Sequence, residues 1–276
     1  MDHRANVLIT ASALGDLLGR GAPLSVLAIR NGPGGWESAQ RIPGAVDVDL
    51  PTELASPGGG TRGSRPLPAI QDLTQAARRW GLRRDVPVVV YDHDRGLVAA
   101  RGWWVLRWAG LTDVRLLDGG FAAWQAAGLP VASEPGRPAP GDVSMSPGHL
   151  PVLDADGAAA VARSGLLLDS RVRVNYIGGP GEPRRGHIPG SVSAPAADAL
   201  TEAGSFADAD TLRHLYAALG ADGSGPVGVS CGAGISAAHS VLALASIGVT
   251  AAMFPGSWSA WAADPDRPVE IGGRPG

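Results

Sequence analysis

The stretch VGVSCGAGISAAHSVLALASIG, residues 227–248, decides the interpretation of this chain and contains its only cysteine, Cys231. Its apolar beginning predicts a buried parallel strand, and the apolar spacing of its second half predicts a helix that stops at Gly248. Between strand and helix, Gly232 and Gly234 let the backbone turn sharply, so that successive N–H groups converge on one point. The sequence therefore predicts a sulfur at an amide-lined helix start.

Such a position favours an anionic sulfur. The helix dipole and the unpaired amides at a helix start stabilise negative charge without a neighbouring cation, and the thiolate is the nucleophilic form of cysteine. A lone cysteine is otherwise more often a small buried hydrophobic residue. In a setting of strand, glycine loop and helix we favour the reactive interpretation and predict that Cys231 is a nucleophile.

Length and composition limit the class of protein. A chain of 276 residues, with 45% hydrophobic and 18% charged residues, is sufficient for one large or two medium soluble domains. A single cysteine excludes an intramolecular disulfide framework and a cysteine-based zinc site, and it suits a reducing compartment such as the cytoplasm. We expect neither a metal nor another cofactor.

Charge and hydropathy exclude further classes. A net charge of -3 argues against a general nucleic-acid-binding protein. The first residues lack a basic segment followed by an apolar core, so we expect no secretory signal. No stretch approaches 18 apolar residues, so we expect no membrane span.

The first half of the chain alternates strands with helices. Alternation of this kind predicts a parallel sheet with helical crossovers, hence an α/β fold. Residues 51–68, rich in Gly, Pro, Ser and Thr, predict a loop. The predicted strands are 24–30, 86–92 and 114–117, and the predicted helices are 70–82, 99–111 and 121–127.

The second half repeats the order of the first. Matching motifs recur at offsets of 146 (Ile42 and Ile188), 139 (Asp92 and Cys231) and 137 (Gly119 and Gly256) residues. A nearly constant offset indicates a duplicated domain. Since a proline- and glycine-rich stretch separates the copies, we predict the following division: an inactive domain at 1–138, a linker at 139–150 and a catalytic domain at 151–276.

The two copies differ at the decisive strand end. The first copy carries Asp92, which cannot act as a sulfur nucleophile and which we interpret as a carboxylate that stabilises its own helix start.

The two halves also differ in charge. Residues 1–138 hold 15 arginines and 13 acidic residues, whereas residues 139–276 hold 8 arginines and 13 acidic residues. An anionic substrate at Cys231 therefore needs local stabilisation of its charge.

The combined motifs resemble the tandem-domain rhodanese family of sulfurtransferases over nearly the whole chain. They are VVVYD, AAR and LDGGFAAW in the first half, then LLDSR, GHIPGSV, CGAGISAAH and GSWSAW in the second. The resemblance implies two α/β domains, each a parallel five-stranded sheet flanked by helices, of which the second alone is catalytic. It also implies transfer of sulfur from a small-molecule donor, through a Cys231 persulfide, to cyanide or a thiol.

The cysteine loop distinguishes branches of this family. Thiosulfate-type members carry cations directly after the cysteine, whereas mercaptopyruvate-type members carry an uncharged loop of the form Cys-Gly-(Ser/Thr)-Gly-Val-Thr. The uncharged CGAGIS is similar to the second type and implies 3-mercaptopyruvate as first donor and thiosulfate as second. The loop amides are the expected substrate-binding groups, and they belong to Gly232, Ala233, Gly234, Ile235, Ser236 and Ala237.

Arginines supply the rest of the implied substrate site. Arg185 matches the family arginine that binds the substrate carboxylate, and its fork geometry suits that group. A second family arginine is replaced here by Asn175, beside Tyr176. Compensation by Arg173 or Arg184 is a hypothesis.

Further polar and aromatic residues have weaker assignments. The family often has histidines where this chain has Arg41 and Arg65. His187 is interpreted as structural, and His239 lies about two helical turns beyond the cysteine, too far along a straight helix to be its base. Trp258 is expected either to form a pocket wall or to have a core or hinge role.

Three alternatives stay open. A cysteine phosphatase would need an arginine where this chain has Ala237, which argues strongly against that class. A thiosulfate-specific rhodanese keeps the mechanism and changes the donor. A catalytically weakened sulfur-carrier or binding protein is suggested by the departures at Ala233, Asn175, Arg41 and Arg65.

Overall fold

A computed structural model describes residues 2–32, 40–179 and 185–276 of the chain. The described residues form two compact units. Unit 1 comprises Met1–Ser56, Leu67–Leu150 and Glu202–Phe206, and unit 2 comprises Pro57–Pro66, Pro151–Thr201 and Ala207–Gly276. Each unit is a parallel sheet flanked by helices, which confirms the predicted α/β class.

Unit 1 contains a five-stranded parallel sheet in the order β1-β5-β4-β2-β3. Its central strand β4 is buried along its whole length, as expected for a strand covered by helices on both faces. Its elements are β1 (Leu8–Ile9), α1 (Ala11–Gly19), β2 (Ser25–Arg30), β3 (Val46–Asp49), α2 (Leu50–Glu53), α3 (Ile70–Arg79), β4 (Val88–Tyr91), α4 (Ala99–Trp108), β5 (Val114–Leu117) and α5 (Gly120–Ala126).

Unit 2 contains a four-stranded parallel sheet in the order β7-β6-β8-β9. The strand β8, which leads to Cys231, is again central and fully buried. The elements are α6 (Ala155–Ser164), β6 (Leu166–Asp169), α7 (Arg173–Ile177), β7 (Val192–Ser193), α8 (Ala209–Ala218), β8 (Val227–Ser230), α9 (Ser236–Ser246), β9 (Ala251–Met253) and α10 (Ser257–Ala263).

The prediction of five strands in each domain is wrong for the described part of unit 2. The missing edge strand is reduced to one parallel bridge between Val152 and Met253, with hydrogen bonds from Leu153 N to Met253 O (2.8 Å) and from Met253 N to Pro151 O (3.1 Å). Because Pro151 has no N–H group, the pairing cannot be extended through a donor at that residue.

Two loops and the proline-rich stretch are grouped differently from the sequence-based division. Segment Pro57–Pro66, which contains a 3-10 turn at Gly60–Arg62, belongs to unit 2, and Glu202–Phe206 belongs to unit 1. Residues 139–150 belong to unit 1, where Val143 is buried and its N–H donates to Leu82 O at 3.3 Å. Hydrogen bonding of this kind explains why a proline-rich stretch packs as part of the domain.

Helix α9 carries the cysteine loop and is buried on most of its surface. It ends at Ser246, and Gly248 follows with φ +85°, the left-handed conformation expected of a glycine after a helix. None of the helices in the described ranges is both long and apolar enough to cross a membrane.

Candidate active site

Cys231 lies at the carboxyl end of the central strand β8, between the ends of β6 and β9. This edge is where parallel α/β sheets bind ligands, because the loops that follow the strands converge there. Gly234 adopts φ +75°, which a residue with a side chain rarely does, and α9 begins two residues later at Ser236. The strand, loop and helix that the sequence predicts are all present.

The cysteine loop is anchored on one side by the start of α10. Trp258 N donates to Cys231 O at 2.8 Å, and Ser259 N donates to Gly232 O at 2.9 Å. In a trans peptide the carbonyl and the next N–H group point in opposite directions. The N–H groups of Gly232 and Ala233 are therefore directed away from α10.

The sulfur itself is enclosed and hydrogen-bonded. Only 2% of Cys231 is exposed. Gly234 N donates to Sγ at 3.0 Å. Ser236 and Ala237 begin α9, where the first N–H groups have no intrahelical acceptor. Of the loop amides predicted to bind substrate, that of Gly234 contacts Sγ.

Ser257 is a contact that the sequence reasoning missed. Its Oγ accepts a hydrogen bond from Cys231 N at 3.0 Å, donates to Phe254 O at 2.8 Å and lies 3.8 Å from Cys231 Sγ. A hydroxyl has one proton, and the short bond to Phe254 O uses it. Ser257 therefore holds the cysteine backbone, and it does so at φ +50° although it is not glycine. The GSWSAW motif marks this segment, but sequence does not reveal the unusual backbone conformation.

Arg171 is a second residue that was missed. Its buried guanidinium contacts both oxygens of Asp169, donates through Nη2 to Gly186 O at 2.7 Å, and lies with Cζ 4.7 Å from the centroid of the Trp258 ring. Arg171 thereby contacts Asp169 at the end of β6, Gly186 after Arg185, and Trp258, whose N–H group is bonded to the cysteine loop. The LLDSR motif carried this arginine, but only the fold brings its three partners together.

The predicted carboxylate-binding residues lie on the surface. Arg185 is exposed, and the backbone of the following Gly186 is held by Arg171. Arg173 and Asn175 in α7 are exposed as well. Arg184 lies outside the described residues.

His187 and Tyr176 pack as a pair. Their rings stack with centroids 3.8 Å apart and an interplanar angle of 9°, and His187 Nδ1 lies 2.9 Å from Tyr176 O. Tyr176 OH donates to Ser191 O at 2.7 Å. Both side chains are buried, in line with the structural interpretation of His187.

His239 is fully buried in the second turn of α9. Burial lowers the pKa of its imidazole to about 4, because the charged form loses its hydration. The ring is therefore neutral at neutral pH. A group with so low a pKa is a weak base, which agrees with its exclusion as the base that would act on the cysteine.

Asp92 occupies the equivalent strand end in unit 1. Its carboxylate accepts four backbone N–H groups at 2.7 to 2.8 Å, from Asp94, Gly96, Val98 and Ala99. Burial raises the pKa of this carboxyl, while the N–H groups of Ala99, Gly96 and Asp94 act in the opposite direction. This geometry is the helix-start carboxylate that the sequence predicts.

Arg41 and Arg65, which stand where the family often has histidines, have different surroundings. Arg41 lies in unit 1, where its Nε and Nη2 each contact the Asp47 carboxylate at 2.8 Å and its Nη1 donates to Ser133 O at 2.7 Å. Arg65 lies in unit 2 and is half-buried.

Among the described residues, no three His, Cys, Asp or Glu side chains form a group that could hold a metal ion.

Comparison with known proteins places the fold and site in a family. The model of the rhodanese-like domain matches residues 10–127 and 154–264. The chain is 41% identical to SseB of Mycobacterium tuberculosis, provisionally named a thiosulfate sulfurtransferase, over 99% of both chains. It is 40% identical to a provisionally named 3-mercaptopyruvate sulfurtransferase of Pseudomonas aeruginosa, over 84% of both chains.

A solved structure supports the same relationship. The crystal structure of SseA from Escherichia coli, described as a 3-mercaptopyruvate sulfotransferase with the rhodanese fold, superposes with a TM-score of 0.78 at 26% identity. The match covers 91% of this chain and 98% of that one. The predicted resemblance is thus confirmed, and the chain belongs to the rhodanese family as a tandem-domain sulfurtransferase of the 3-mercaptopyruvate and thiosulfate type.

Proposed function

We propose that the protein transfers a sulfur atom from 3-mercaptopyruvate, or from thiosulfate as a second donor, through a persulfide on Cys231. Acceptors are cyanide in the assay and a thiol in the cell. The Cys231 thiolate is the nucleophile, and the loop amides from Gly232 to Ala237 stabilise the charged sulfur. Preorganised N–H groups of this kind stabilise a developing anion without rearrangement.

The observation that carries this proposal is the carboxylate of Asp92 in unit 1. At the equivalent strand end, four amides hold oxygens that lie two bonds beyond Cβ. A persulfide on Cys231 places its outer, negatively charged sulfur two bonds beyond Cβ as well. The loop from strand to helix is shorter in unit 2. The Asp92 oxygens nevertheless lie as far beyond Cβ as the outer sulfur of the persulfide that we propose for Cys231.

The first half-reaction is balanced with either donor. The thiolate attacks the sulfur of 3-mercaptopyruvate, an S–S bond forms and the C–S bond breaks. The carbon takes the electron pair and then the thiol proton of the donor, which gives pyruvate and the persulfide anion. With thiosulfate the S–S bond of the donor breaks instead, and sulfite leaves with the electron pair.

The second half-reaction regenerates the cysteine. Cyanide or a thiolate attacks the outer sulfur, and the S–S bond of the persulfide breaks with its electron pair returning to Cys231 Sγ. Thiocyanate or a new persulfide is the product. Two separate displacements predict ping-pong kinetics.

Arg185 is proposed to bind the donor carboxylate. Its exposed side chain directly precedes Gly186, whose carbonyl Arg171 holds, and a guanidinium pairs bidentately with a carboxylate. The uncharged cysteine loop supports 3-mercaptopyruvate as the first donor. The names of the two relatives, one for each donor, support the inclusion of both.

The cellular setting that we propose is the cytoplasm, because a single buried cysteine required as a thiolate suits a reducing compartment. Cell fractionation tests this proposal, and recovery of the protein mainly outside the cytoplasmic fraction would contradict it. The proposed partners are small molecules and thiols; nucleic acids and membranes are not among them.

Steady-state kinetics with cyanide as acceptor test the reaction. We expect parallel double-reciprocal lines for donor and acceptor in the wild type, and loss of turnover in Cys231→Ser. Intersecting lines, or substantial turnover by the variant, would contradict the persulfide mechanism. Absence of turnover in the wild type would favour the sulfur-carrier alternative.

A further inference from the structure

Segment Pro57–Pro66 of the first repeat is part of unit 2, the unit that contains Cys231. It is a compact turn rather than an extended loop. Gly59 N donates to Gly63 O at 2.9 Å, and Gly63 N donates to Gly60 O at 3.0 Å. The backbone of this segment therefore has a defined conformation.

The segment packs closely against the start of α10. Gly63 adopts φ +81°, and a Cβ added to it would lie 2.7 Å from Gly256 O, so both the conformation and the space require glycine. The next residue, Ser64, donates its N–H to Ser259 Oγ at 2.9 Å. The backbone immediately before Arg65 is thus fixed to α10.

Ser259 connects this segment to the cysteine loop. Its N–H donates to Gly232 O at 2.9 Å, while its Oγ accepts from Ser64 N. One serine and two hydrogen bonds therefore separate the residue before Arg65 from the residue after Cys231.

The segment also supplies charge that the cysteine loop lacks. No charged side chain occurs from Cys231 to Ala237, whereas Pro57–Pro66 contains Arg62 and Arg65 and no acidic residue. Arg62 is exposed in the 3-10 turn, whereas Arg65 is half-buried beside the fixed Ser64.

We propose that Arg65 is a donor-binding residue that recognises the anionic oxygens of thiosulfate, and that the cation for this donor comes from the 57–66 segment instead of the cysteine loop. The inference rests on the proposed sulfur transfer at Cys231. One added positive charge attracts the thiosulfate dianion more strongly than it attracts the single carboxylate of 3-mercaptopyruvate. Arg65 thus broadens the donor range of a site whose own loop is uncharged.

The test compares Arg65→Gln with the wild type, with Arg65→Lys and with the matched control Arg62→Gln on the same segment. KM and kcat are measured for thiosulfate and for 3-mercaptopyruvate with cyanide as acceptor, and persulfide formation is followed by intact mass. Alkylation of Cys231 by the uncharged reagent iodoacetamide serves as a control for the reactivity of the thiolate. Thermal unfolding of each variant reports any general structural effect.

We expect Arg65→Gln to raise KM for thiosulfate about tenfold, as loss of one charge-assisted hydrogen bond requires. KM for 3-mercaptopyruvate should change less than about threefold, and the rate of alkylation by iodoacetamide should be unchanged. Arg65→Lys should recover most of the thiosulfate affinity because it keeps the charge. Added salt should weaken thiosulfate binding more in the wild type than in Arg65→Gln.

Equal effects on both anionic donors, or a thiosulfate KM unchanged in Arg65→Gln, would overturn this assignment while leaving the persulfide mechanism intact. An equal effect of Arg62→Gln would also overturn it, because the segment's general charge would then be responsible. Absence of a persulfide in the wild type with every donor would overturn the proposed function and the role of Arg65 with it.

Discussion

Replacement of Ser257 tests how the cysteine loop is held. Ser257→Ala removes the acceptor of Cys231 N and the donor to Phe254 O, at a residue with no exposed surface. One lost hydrogen bond costs about 1 kcal/mol, and an orphaned buried polar group costs about 1–3 kcal/mol. We therefore expect the free energy of unfolding to fall by about 2–4 kcal/mol and persulfide formation to slow about tenfold.

Ser257→Gly separates the hydroxyl from the backbone strain. Both variants lose the hydroxyl, but glycine adopts φ +50° without the penalty of a Cβ, so it should be more stable than the alanine variant by about 1 kcal/mol. Ser246→Ala is the matched control, because it loses only one buried bond, from Oγ to Ala243 O at 2.6 Å.

Urea denaturation and single-turnover mass spectrometry measure the two effects of these substitutions. The control should lose about 1 kcal/mol of stability and no sulfur-transfer activity. A Ser257→Ala variant as stable as the wild type, or a glycine variant less stable than the alanine variant, would refute the reasoning.

Three further predictions concern buried polar groups. Asp92→Asn places an amide group against N–H donors and should lower the free energy of unfolding by about 2–4 kcal/mol in urea; an unchanged midpoint would contradict the amide cradle. The pKa of His239 is about 4 in the folded protein, whereas the pKa of a histidine in the unfolded chain is about 6.5. Stability should therefore fall as pH decreases through this window, by up to about 3 kcal/mol, and His239→Leu should lose that part of the pH dependence; an unchanged pH profile would exclude the effect. Arg171→Gln leaves the buried Asp169 carboxylate uncompensated and should cost about 3–5 kcal/mol, more than Arg171→Lys; equal midpoints of the two variants would argue against the ion pair.

The repeating pattern of the sequence predicted most of the fold. Strand 114–117 agrees with the structure, and the helix after the cysteine ends at Ser246, just before Gly248, where the sequence predicts that it stops. These elements are buried and strongly periodic, so local pattern and tertiary packing agree. Helix α8 was not predicted, although the Asp208 carboxylate caps it by accepting a hydrogen bond from Thr211 N, because its weakly apolar face resembles a loop.

The site was predictable only in part. The position of Cys231 follows from the order of strand, glycine loop and helix. Ser257 and Arg171 could not be assigned, because their roles depend on a backbone conformation and on partners distant in sequence. The association of residues 57–66 with unit 2 depends likewise on tertiary contacts that a glycine-rich loop does not encode in its periodicity.

The central claim is that Cys231 carries the transferred sulfur in its amide-lined loop. Intact mass spectrometry of the fully reduced protein, after brief exposure to 3-mercaptopyruvate or thiosulfate, tests it most directly. We predict the addition of one sulfur atom in the wild type, its absence in Cys231→Ser and its removal by cyanide. A wild-type protein that gains no sulfur from either donor, or a Cys231→Ser variant that still gains one, would contradict the account.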